Sequence, residues 1–155
     1  IDPSAFIAEN AVIIGDVKIA KDASIWYGCV LRGDVHKIRV GERSNIQDGT
    51  IVHVTSQKFA TLIGNDVLVG HNAVIHGCTL EDGAFVGMGA VVLDGVVVES
   101  QAMVAAGALV APGKVVKSGE LWAGNPARKM RDLTSQEIDN LKKGTDHYVA
   151  VSKEY

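Results

Sequence analysis

Aliphatic residues recur at every sixth position along most of the chain. The column begins at Ile7, and two short insertions, at about residues 37–39 and 55–60, each restart the count. One step, from Ile75 to Leu80, is five residues long. The column consists of Ile7, Ile13, Ile19, Ile25, Leu31, Val40, Ile46, Val52, Ile63, Val69, Ile75, Leu80, Val86, Val92, Val98, Val104 and Val110. This strict period predicts short strands that turn repeatedly, whereas a β-sandwich would place its turns at variable spacings of about 8–12 residues.

Turn-forming residues make a second column, three positions after each aliphatic residue. Gly, Asn and Asp dominate it, because they tolerate the backbone of a tight turn, and the residue that follows is usually small. The members are Asn10, Asp16, Asp22, Gly28, Asp34, Gly49, Asp66, Asn72, Gly83, Gly89, Gly95, Gly107 and Gly113, with Arg43, Cys78 and Gln101 as exceptions. Each unit therefore reads as an inward aliphatic residue, a turn and a small corner residue. This is the hexapeptide pattern of a parallel β-helix, in which three units make one triangular coil.

The end of the chain has a different character. Residues 119–126 read as a loop, with Pro126 as the breaker. Thr134 and Glu137 have the spacing of a capping box, and they predict a helix that runs to about residue 150. Its apolar positions Ile138, Leu141 and Tyr148 must pack on the flank of the β-helix or on a neighbouring subunit. We therefore predict a β-helix domain over residues 1–118, and a loop and helix over residues 119–155.

Composition narrows the class of protein. Hydrophobic residues make up 47 % of the 155 positions but aromatic residues only 5 %, which fits an aliphatic β-core and excludes disorder. A net charge of −3 argues against a nucleic-acid partner. Cys29 and Cys78 cannot form a disulfide framework, and no apolar run has the 18 or so residues of a membrane span. With no secretory signal visible, we expect a reduced, cytoplasmic protein without a membrane partner.

Two histidines occupy equivalent places on successive coils. His53 follows inward Val52 and His76 follows inward Ile75, and three units separate them. Their backbones are therefore expected to stack about 4.8 Å apart on one outward face, in a column that Arg32 joins one coil earlier. Two imidazoles in such a stack can both reach one zinc ion, whose bonds to nitrogen are about 2.0–2.1 Å long.

A third histidine lies on the neighbouring face. His71 holds the third position of its unit beside the corner, and Asp48 holds the same position one coil earlier, next to Gln47. Because His71 diverges from the stacked pair across a corner, one chain is not expected to close the site. Packing around a threefold axis would bring one chain's pair to its neighbour's His71, and a three-histidine zinc site with an open fourth position would result. Fe²⁺ or Co²⁺ would also accept three imidazoles.

Several motifs resemble the γ-class carbonic anhydrases. These are R-G-D at Arg32–Asp34, N-I-Q-D at Asn45–Asp48, H-V at His53 and G-H-N-A-V-I-H-G-C at Gly70–Cys78. W-A-G-N-P-A-R at Trp122–Arg128 is similar to their shorter bacterial relatives, many of which carry the label ferripyochelin-binding protein. The resemblance implies a left-handed β-helix and a homotrimer with three metal sites between subunits.

The same resemblance implies roles for the residues around the histidines. Arg32, Asp34 and Asp48 correspond to an interface ion-pair network, and Gln47 to a residue that orients metal-bound solvent. Tyr148 lies where the family brings a tyrosine towards the site, although core packing of the helix is the other interpretation.

Proton transfer is where the chain departs from the best-studied members of the class. Val35 stands at the position of their glutamate, and the loop after His53 is too short for their acidic insertion. His36 is a candidate shuttle because the ordinary pKa of histidine is near 6.5, and an ordinary surface histidine is the alternative.

These observations favour an enzyme that hydrates carbon dioxide to bicarbonate reversibly by zinc-bound hydroxide. Two alternatives stay open. A metal-binding trimer subunit would keep the ligands without turnover. A hexapeptide acyltransferase would need only one basic histidine near a coenzyme A cleft, and would leave the stacked pair unexplained.

Overall fold

The computed structural model describes residues 1–155, which form a parallel β-helix of about six turns, a terminal hairpin and one helix. The strands are β1 (Phe6–Ile7), β2 (Val12–Ile19), β3 (Ser24–Ile25), β4 (Val30–Val40), β5 (Asn45–Ile46), β6 (Ile51–His53), β7 (Thr61–Ile63), β8 (Leu68–Val69), β9 (Val74–His76), β10 (Thr79–Leu80), β11 (Phe85–Val86), β12 (Val91–Val92), β13 (Val97–Val98), β14 (Met103–Val104), β15 (Leu109–Val110), β16 (Val115–Val116), β17 (Glu120–Gly124) and β18 (Ala127–Asp132). The helix α1 spans Ser135–Val151. The predicted all-β parallel β-helix with a C-terminal helix is confirmed.

Three faces run along the coil, because each strand pairs in parallel with the strand at the same place in the previous coil. Face 1 contains β1, β3, β5, β8, β11, β14 and β17. Face 2 contains the first halves of β2 and β4, then β6, β9, β12 and β15, and face 3 contains their second halves, then β7, β10, β13 and β16. A typical register joins Phe6 to Ser24, which is three six-residue units.

The aliphatic column forms the core. From Ile19 to Val110 every member of the column is at most 3 % exposed, and only Ile7 and Ile13, in the first coil, are partly covered. Small residues fill the corners, among them Cys29 and Cys78, which are free and buried. Burial raises the pKa of Cys29 to about 11 and that of Cys78 to about 12, so both thiols stay protonated at neutral pH.

Turns form where the column of turn residues predicts them, with three differences. Arg43 and Gln101, the apparent exceptions, adopt the left-handed conformation, with φ of 61° and 58°. At the five-residue step Gly77 takes this conformation in place of Cys78. The turns expected at Asp16 and Asp34 are wrong, because β2 and β4 continue around the corner there. The register between them shifts by three residues at this corner, so the insertion forms a bulge in β4 between Gly33 and Ile38, opposite Gly15, whose φ is 80°.

The segment after the β-helix is more regular than expected. The predicted loop over residues 119–126 is wrong for 120–124, which form β17 and pair in parallel with β14. β18 then reverses and pairs with β17. The physical reason is the free edge of β14, whose backbone groups gain partners from one more strand. The division of the chain into parts at residue 118 stays a prediction.

The helix packs on its own β-helix. Thr134 Oγ1 accepts a hydrogen bond from Glu137 N at 3.2 Å, and a Glu137 carboxylate oxygen accepts one from Thr134 N at 2.9 Å, so the predicted capping box is confirmed. Leu141 is buried against face 1, and Tyr148 meets the Trp26 ring edge-on, with centroids 6.0 Å apart. This single helix lacks the length and apolarity needed to cross a membrane.

Candidate metal centre

Two strands of face 2 end in a pair of histidines. His53 on β6 and His76 on β9 are in register on adjacent coils, so the predicted stacking is confirmed. His53 Nδ1 lies 3.1 Å from His76 Nε2, and the ring centroids are 5.1 Å apart at an interplanar angle of 63°. Each histidine follows a buried aliphatic residue, which points its own side chain outwards.

An aspartate holds the far nitrogen of each ring. His53 Nε2 lies 3.0 Å from Asp34 Oδ1, and His76 Nδ1 lies 2.7 Å from Asp94 Oδ1. An ionised carboxylate only accepts hydrogen bonds, so these two nitrogens carry the protons when the rings are neutral. The nitrogens that face each other then both carry lone pairs.

Both carboxylates are held in the ionised form. The hydrogen bond from His53, together with that from Arg32, holds the pKa of Asp34 below its usual value. Partial burial works against ionisation of Asp94, but hydrogen bonds from Thr55 and His76 outweigh it and lower the pKa of Asp94. Aspartates that accept hydrogen bonds from imidazole N–H groups in this way commonly orient histidines towards a metal.

The spacing of the facing nitrogens fits a zinc ion. Two lone pairs at 3.1 Å repel each other unless a proton or a metal ion lies between them. Two imidazole nitrogens on a tetrahedral zinc with bonds of 2.0–2.1 Å would lie about 3.3 Å apart. The pair thus has the chemistry and the spacing of two ligands, and a catalytic zinc needs a third.

His71 lies elsewhere in the chain. It sits at the corner between β8 and β9, and its Nδ1 is 3.0 Å from Asp48 Oδ2, with 42 % and 43 % of the two side chains exposed. The chain contains no group of three or more His, Cys, Asp or Glu side chains arranged to hold a metal. A single chain therefore offers a pair of imidazoles on face 2 and a single imidazole at a corner.

An apolar groove of about 520 Å³ adjoins His71. Gln47, which is 4 % exposed, and Tyr148 from the helix line it beside the imidazole. The groove is completed by Leu68, Gly70, Phe85, Gly87, Met88, Met103, Ala105, Ala106 and Leu121. The structure thus brings three of the predicted site residues together around one mostly apolar space.

The other predicted residues lie outside this groove. Arg32 pairs with Asp34 beside His53 within the same chain. His36 is on β4, where its Nδ1 accepts a hydrogen bond from the backbone of Lys37 at 2.8 Å. The interface role of Arg32, Asp34 and Asp48, and the shuttle role of His36, stay predictions.

Sequence reasoning missed Asp94 and Thr55. Asp94 follows His76 by 18 residues, one more than the 17 that separate the register partners Ile75 and Val92. It therefore lies one position beyond the residue that the repeat places next to His76, and a search for a carboxylate near that position of the next coil could have found it. Thr55 opens the insertion after His53, and its hydroxyl donates to Asp94 Oδ2 at 2.7 Å. No periodic signal marks Thr55, since the repeat is interrupted there.

The fold and the histidine pair define a hexapeptide-repeat β-helix protein with a candidate metal centre. The family described as bacterial transferase hexapeptide (six repeats) matches residues 60–94. A probable carbonic anhydrase of Methanocaldococcus jannaschii is 55 % identical over 95 % of this chain and 92 % of its own. The mitochondrial gamma carbonic anhydrase 2 of Arabidopsis thaliana is 55 % identical over 99 % of this chain. The chain belongs to the gamma carbonic anhydrase family, as its motifs indicate.

Two further comparisons bear on how far the likeness extends. This chain spans 57 % of the length of the Arabidopsis relative, whose mitochondrial name leaves the expected cytoplasmic location a prediction. The crystal structure of a hexapeptide transferase family protein from Anaplasma phagocytophilum has a TM-score of 0.96 at 56 % identity, and covers 99 % of this chain and 90 % of that one.

Proposed function

We propose that the protein is a gamma-type carbonic anhydrase that hydrates carbon dioxide reversibly at zinc sites shared between the subunits of a homotrimer. The observation that carries the proposal is the pair of facing imidazole nitrogens, 3.1 Å apart, each backed by a carboxylate. In the proposed trimer His53 and His76 come from one chain and His71 from its neighbour. Membership of the gamma carbonic anhydrase family supports the same activity.

The outer surface of face 2 supports the assembly. On this face, the residue directly before each inward aliphatic residue points outwards and is apolar. Two of these outward residues, Val12 and Ile51, are 45 % and 40 % exposed. This apolar ladder consists of Val12, Val30, Ile51, Val74, Val91 and Leu109. One copy's ladder can cover the next copy's His71 corner and apolar groove. Such a contact joins two different surfaces, so it propagates head to tail and closes as a ring.

The residues of the chain would have different roles at this site. A bound zinc ion would supply Lewis acidity that lowers the pKa of a coordinated water towards neutrality. Asp34 and Asp94 keep the ring protons of His53 and His76 away from the ion and hold the rings in place. Fe²⁺ or Co²⁺ would suit the same three imidazoles.

The groove supplies the substrate's surroundings. Its apolar walls suit carbon dioxide, which has no net dipole and makes few hydrogen bonds. The buried amide of Gln47 is placed to hydrogen-bond solvent or a bicarbonate oxygen, and Tyr148 lines the same space. His36 would relay protons to solvent in place of the acidic group absent at Val35.

A second candidate function has one specific observation in its favour. Val35 is 45 % exposed at the position where the resemblance expects a proton-transfer glutamate, and a valine carries no proton. A metal-binding trimer without turnover would tolerate this residue. The acyltransferase alternative is supported by the match to the bacterial transferase hexapeptide family and by the likeness to a transferase-family structure, but it leaves the histidine pair without a role.

Stopped-flow measurement of carbon dioxide hydration on metal-quantified protein, purified both in air and anaerobically, tests the proposal. We expect activity in proportion to bound metal, and loss of both in His76→Ala, with metal affinity falling by more than about 100-fold. His147→Ala, which changes an exposed histidine on α1, is the matched control and should alter neither. Full metal occupancy without hydration would favour the non-catalytic subunit. Acetyl-coenzyme A turnover without metal would favour the transferase.

A further inference from the structure

Asp94 links His76 to the loop that follows His53. One of its oxygens accepts a hydrogen bond from His76 Nδ1 at 2.7 Å, and the other accepts one from Thr55 Oγ1 at 2.7 Å. Both oxygens of the carboxylate are thus engaged, one by the imidazole and one by the loop. The orientation of the imidazole therefore depends on where the loop places the threonine hydroxyl.

Gly77 makes room for this contact. It adopts φ of 56°, and a Cβ at this position would overlap Asp94 Oδ1 and lie 2.9 Å from Phe59 Cβ. Its backbone N–H donates to Thr61 Oγ1 at 2.9 Å, and the same hydroxyl donates to the carbonyl of His53. Fully buried Thr61, where the chain re-enters the coil, therefore ties the backbones beside both histidines.

The loop between these two threonines is closed and anchored. Thr55 N donates to Phe59 O at 3.0 Å, and Phe59 N donates to Thr55 O at 3.1 Å. The Phe59 ring lies on the corner at Gly95, where a Cβ would be 3.1 Å from Cε1 of the ring. A loop closed at its base and packed on a corner gives the Thr55 hydroxyl a defined position above Asp94.

We propose that Thr55 and Asp94 are positioning residues for His76. The closed loop over residues 55–60 holds Asp94, and Asp94 holds the His76 ring with its proton on Nδ1. Nε2 is then left unprotonated and directed towards His53, ready to bind metal. The inference rests on the proposed metal site. It gives the short insertion after His53 a role in preparing a ligand, since an imidazole already in the binding tautomer and orientation needs no rearrangement.

Two readouts test the proposal, and one of them needs no metal. Nitrogen-15 NMR of the histidine rings in the metal-free protein reports the tautomer of His76, and competition with a chromophoric chelator reports zinc affinity. Asp94→Ala should remove the Nδ1–H preference and weaken zinc binding by about 10–100-fold. Thr55→Val should act in the same direction with a smaller loss, and Thr55→Ser, which keeps the hydroxyl, should restore both values.

Thr79→Val is the matched control, because it makes the same exchange on face 3, away from the contacts of His76. Circular dichroism identifies variants that fold. The proposal is overturned if folded Asp94→Ala and Thr55→Val keep both the wild-type tautomer and the wild-type zinc affinity. Failure of the proposed function looks different, since wild-type protein would then bind no zinc or bind it equally well without His76. In that case the tautomer alone decides whether Thr55 and Asp94 position the ring.

Discussion

Gly77 shows how much a single residue decides at the candidate site. Its left-handed conformation follows from the five-residue step between Ile75 and Leu80, which shortens this corner by one residue. The space left by its missing side chain is occupied by the Asp94 carboxylate and by Phe59. Most other corner glycines have no such neighbours, and Gly107, at φ of 68°, has nothing within 4 Å of a Cβ position.

Gly77→Ala should therefore destabilise the protein more than Gly107→Ala. Both substitutions place a Cβ in the left-handed region, at a cost of about 1–2 kcal/mol. Only the first adds overlap with packed atoms, for about 1–3 kcal/mol more. Urea unfolding at one fixed protein concentration measures the difference, and zinc affinity should fall only in Gly77→Ala. Equal losses of stability in the two variants would show that the space beside Gly77 is not needed.

Among the secondary-structure elements, α1 has the best-defined attachment. Arg131 on β18 donates two hydrogen bonds to the Glu137 carboxylate, at 2.8 and 2.7 Å, and so links the hairpin to the first turn of the helix. These bonds, with the one from Thr134 N, lower the pKa of Glu137 to about 2. Since the ordinary value is 4.5, the ionised group stabilises the folded state at every pH above 4.5.

This attachment should weaken in acid. As pH falls from 4.5 through about 2, protonation of Glu137 removes its share of the stability, and Trp26 fluorescence should report the change through Tyr148 on α1. Glu137→Gln should be less stable than wild type at pH 6, with the gap closing below about pH 2. Asp139→Asn, which changes an exposed acid on the same helix, should follow wild type throughout. A gap that stays constant with pH would contradict the assignment.

For the whole molecule, the three faces differ in what covers them. Face 1 carries α1 and the groove, whereas face 2 exposes the apolar ladder together with the histidine pair. Face 3 is mixed, with Lys18, Arg39 and Thr79 at outward positions that correspond to the ladder. This asymmetry is expected of a triangular prism that uses two of its sides in a ring and leaves the third to solvent.

Ile51→Lys and Leu62→Lys form a matched pair of variants for testing the proposed ring of subunits. Both replace a partly exposed aliphatic residue, 40 % and 37 % exposed, but Ile51 lies on face 2 and Leu62 on face 3. Light scattering after size exclusion should show dissociation of the proposed trimer for Ile51→Lys only, because a charge in an apolar interface loses its hydration without gaining a partner. Dissociation by Leu62→Lys alone would place the interface on the other face.

Mixing of inactive variants tests the ligand assignment directly. One protein carries His71→Ala and the other carries His53→Ala with His76→Ala, so each parent trimer has at most two histidines per site. After subunit exchange, one orientation of a mixed interface unites the intact pair with an intact His71. Metal binding should reappear only after mixing. Metal analysis of the separated mixed trimers measures it. Verified mixed trimers without metal would show that the site does not span two chains.

The proposed interface should also respond to metal and to the predicted ion pairs. Removing the metal is expected to loosen the trimer, and Arg32→Ala to loosen it further by leaving the neighbour's Asp48 without its expected partner. Sedimentation velocity with and without a chelator measures both effects. A stable monomer that still binds one metal ion tightly per chain would contradict the shared site.

The coil and the stacking of His53 on His76 could be predicted from the amino-acid sequence alone. Both follow from a period of six, because inward aliphatic residues, turn residues and small corner residues recur at short range and need no knowledge of distant contacts. The capping box of α1 is local for the same reason. The family could likewise be inferred from short motifs, since each of them is contiguous.

The conformation of the chain where the repeat is interrupted depends on long-range contacts and could not be predicted from the sequence. The path of β2 and β4 through the corner at Asp16 and Asp34 depends on how the neighbouring coil accommodates three inserted residues that have no register partner in β2. The strand β17 depends on the free edge of β14, and the contact of Thr55 with Asp94 joins residues 39 positions apart. Insertions have no period, so their side chains are placed by closure and packing against coils that come later in the chain. For this reason the contact between Thr55 and Asp94 became visible only in the folded chain.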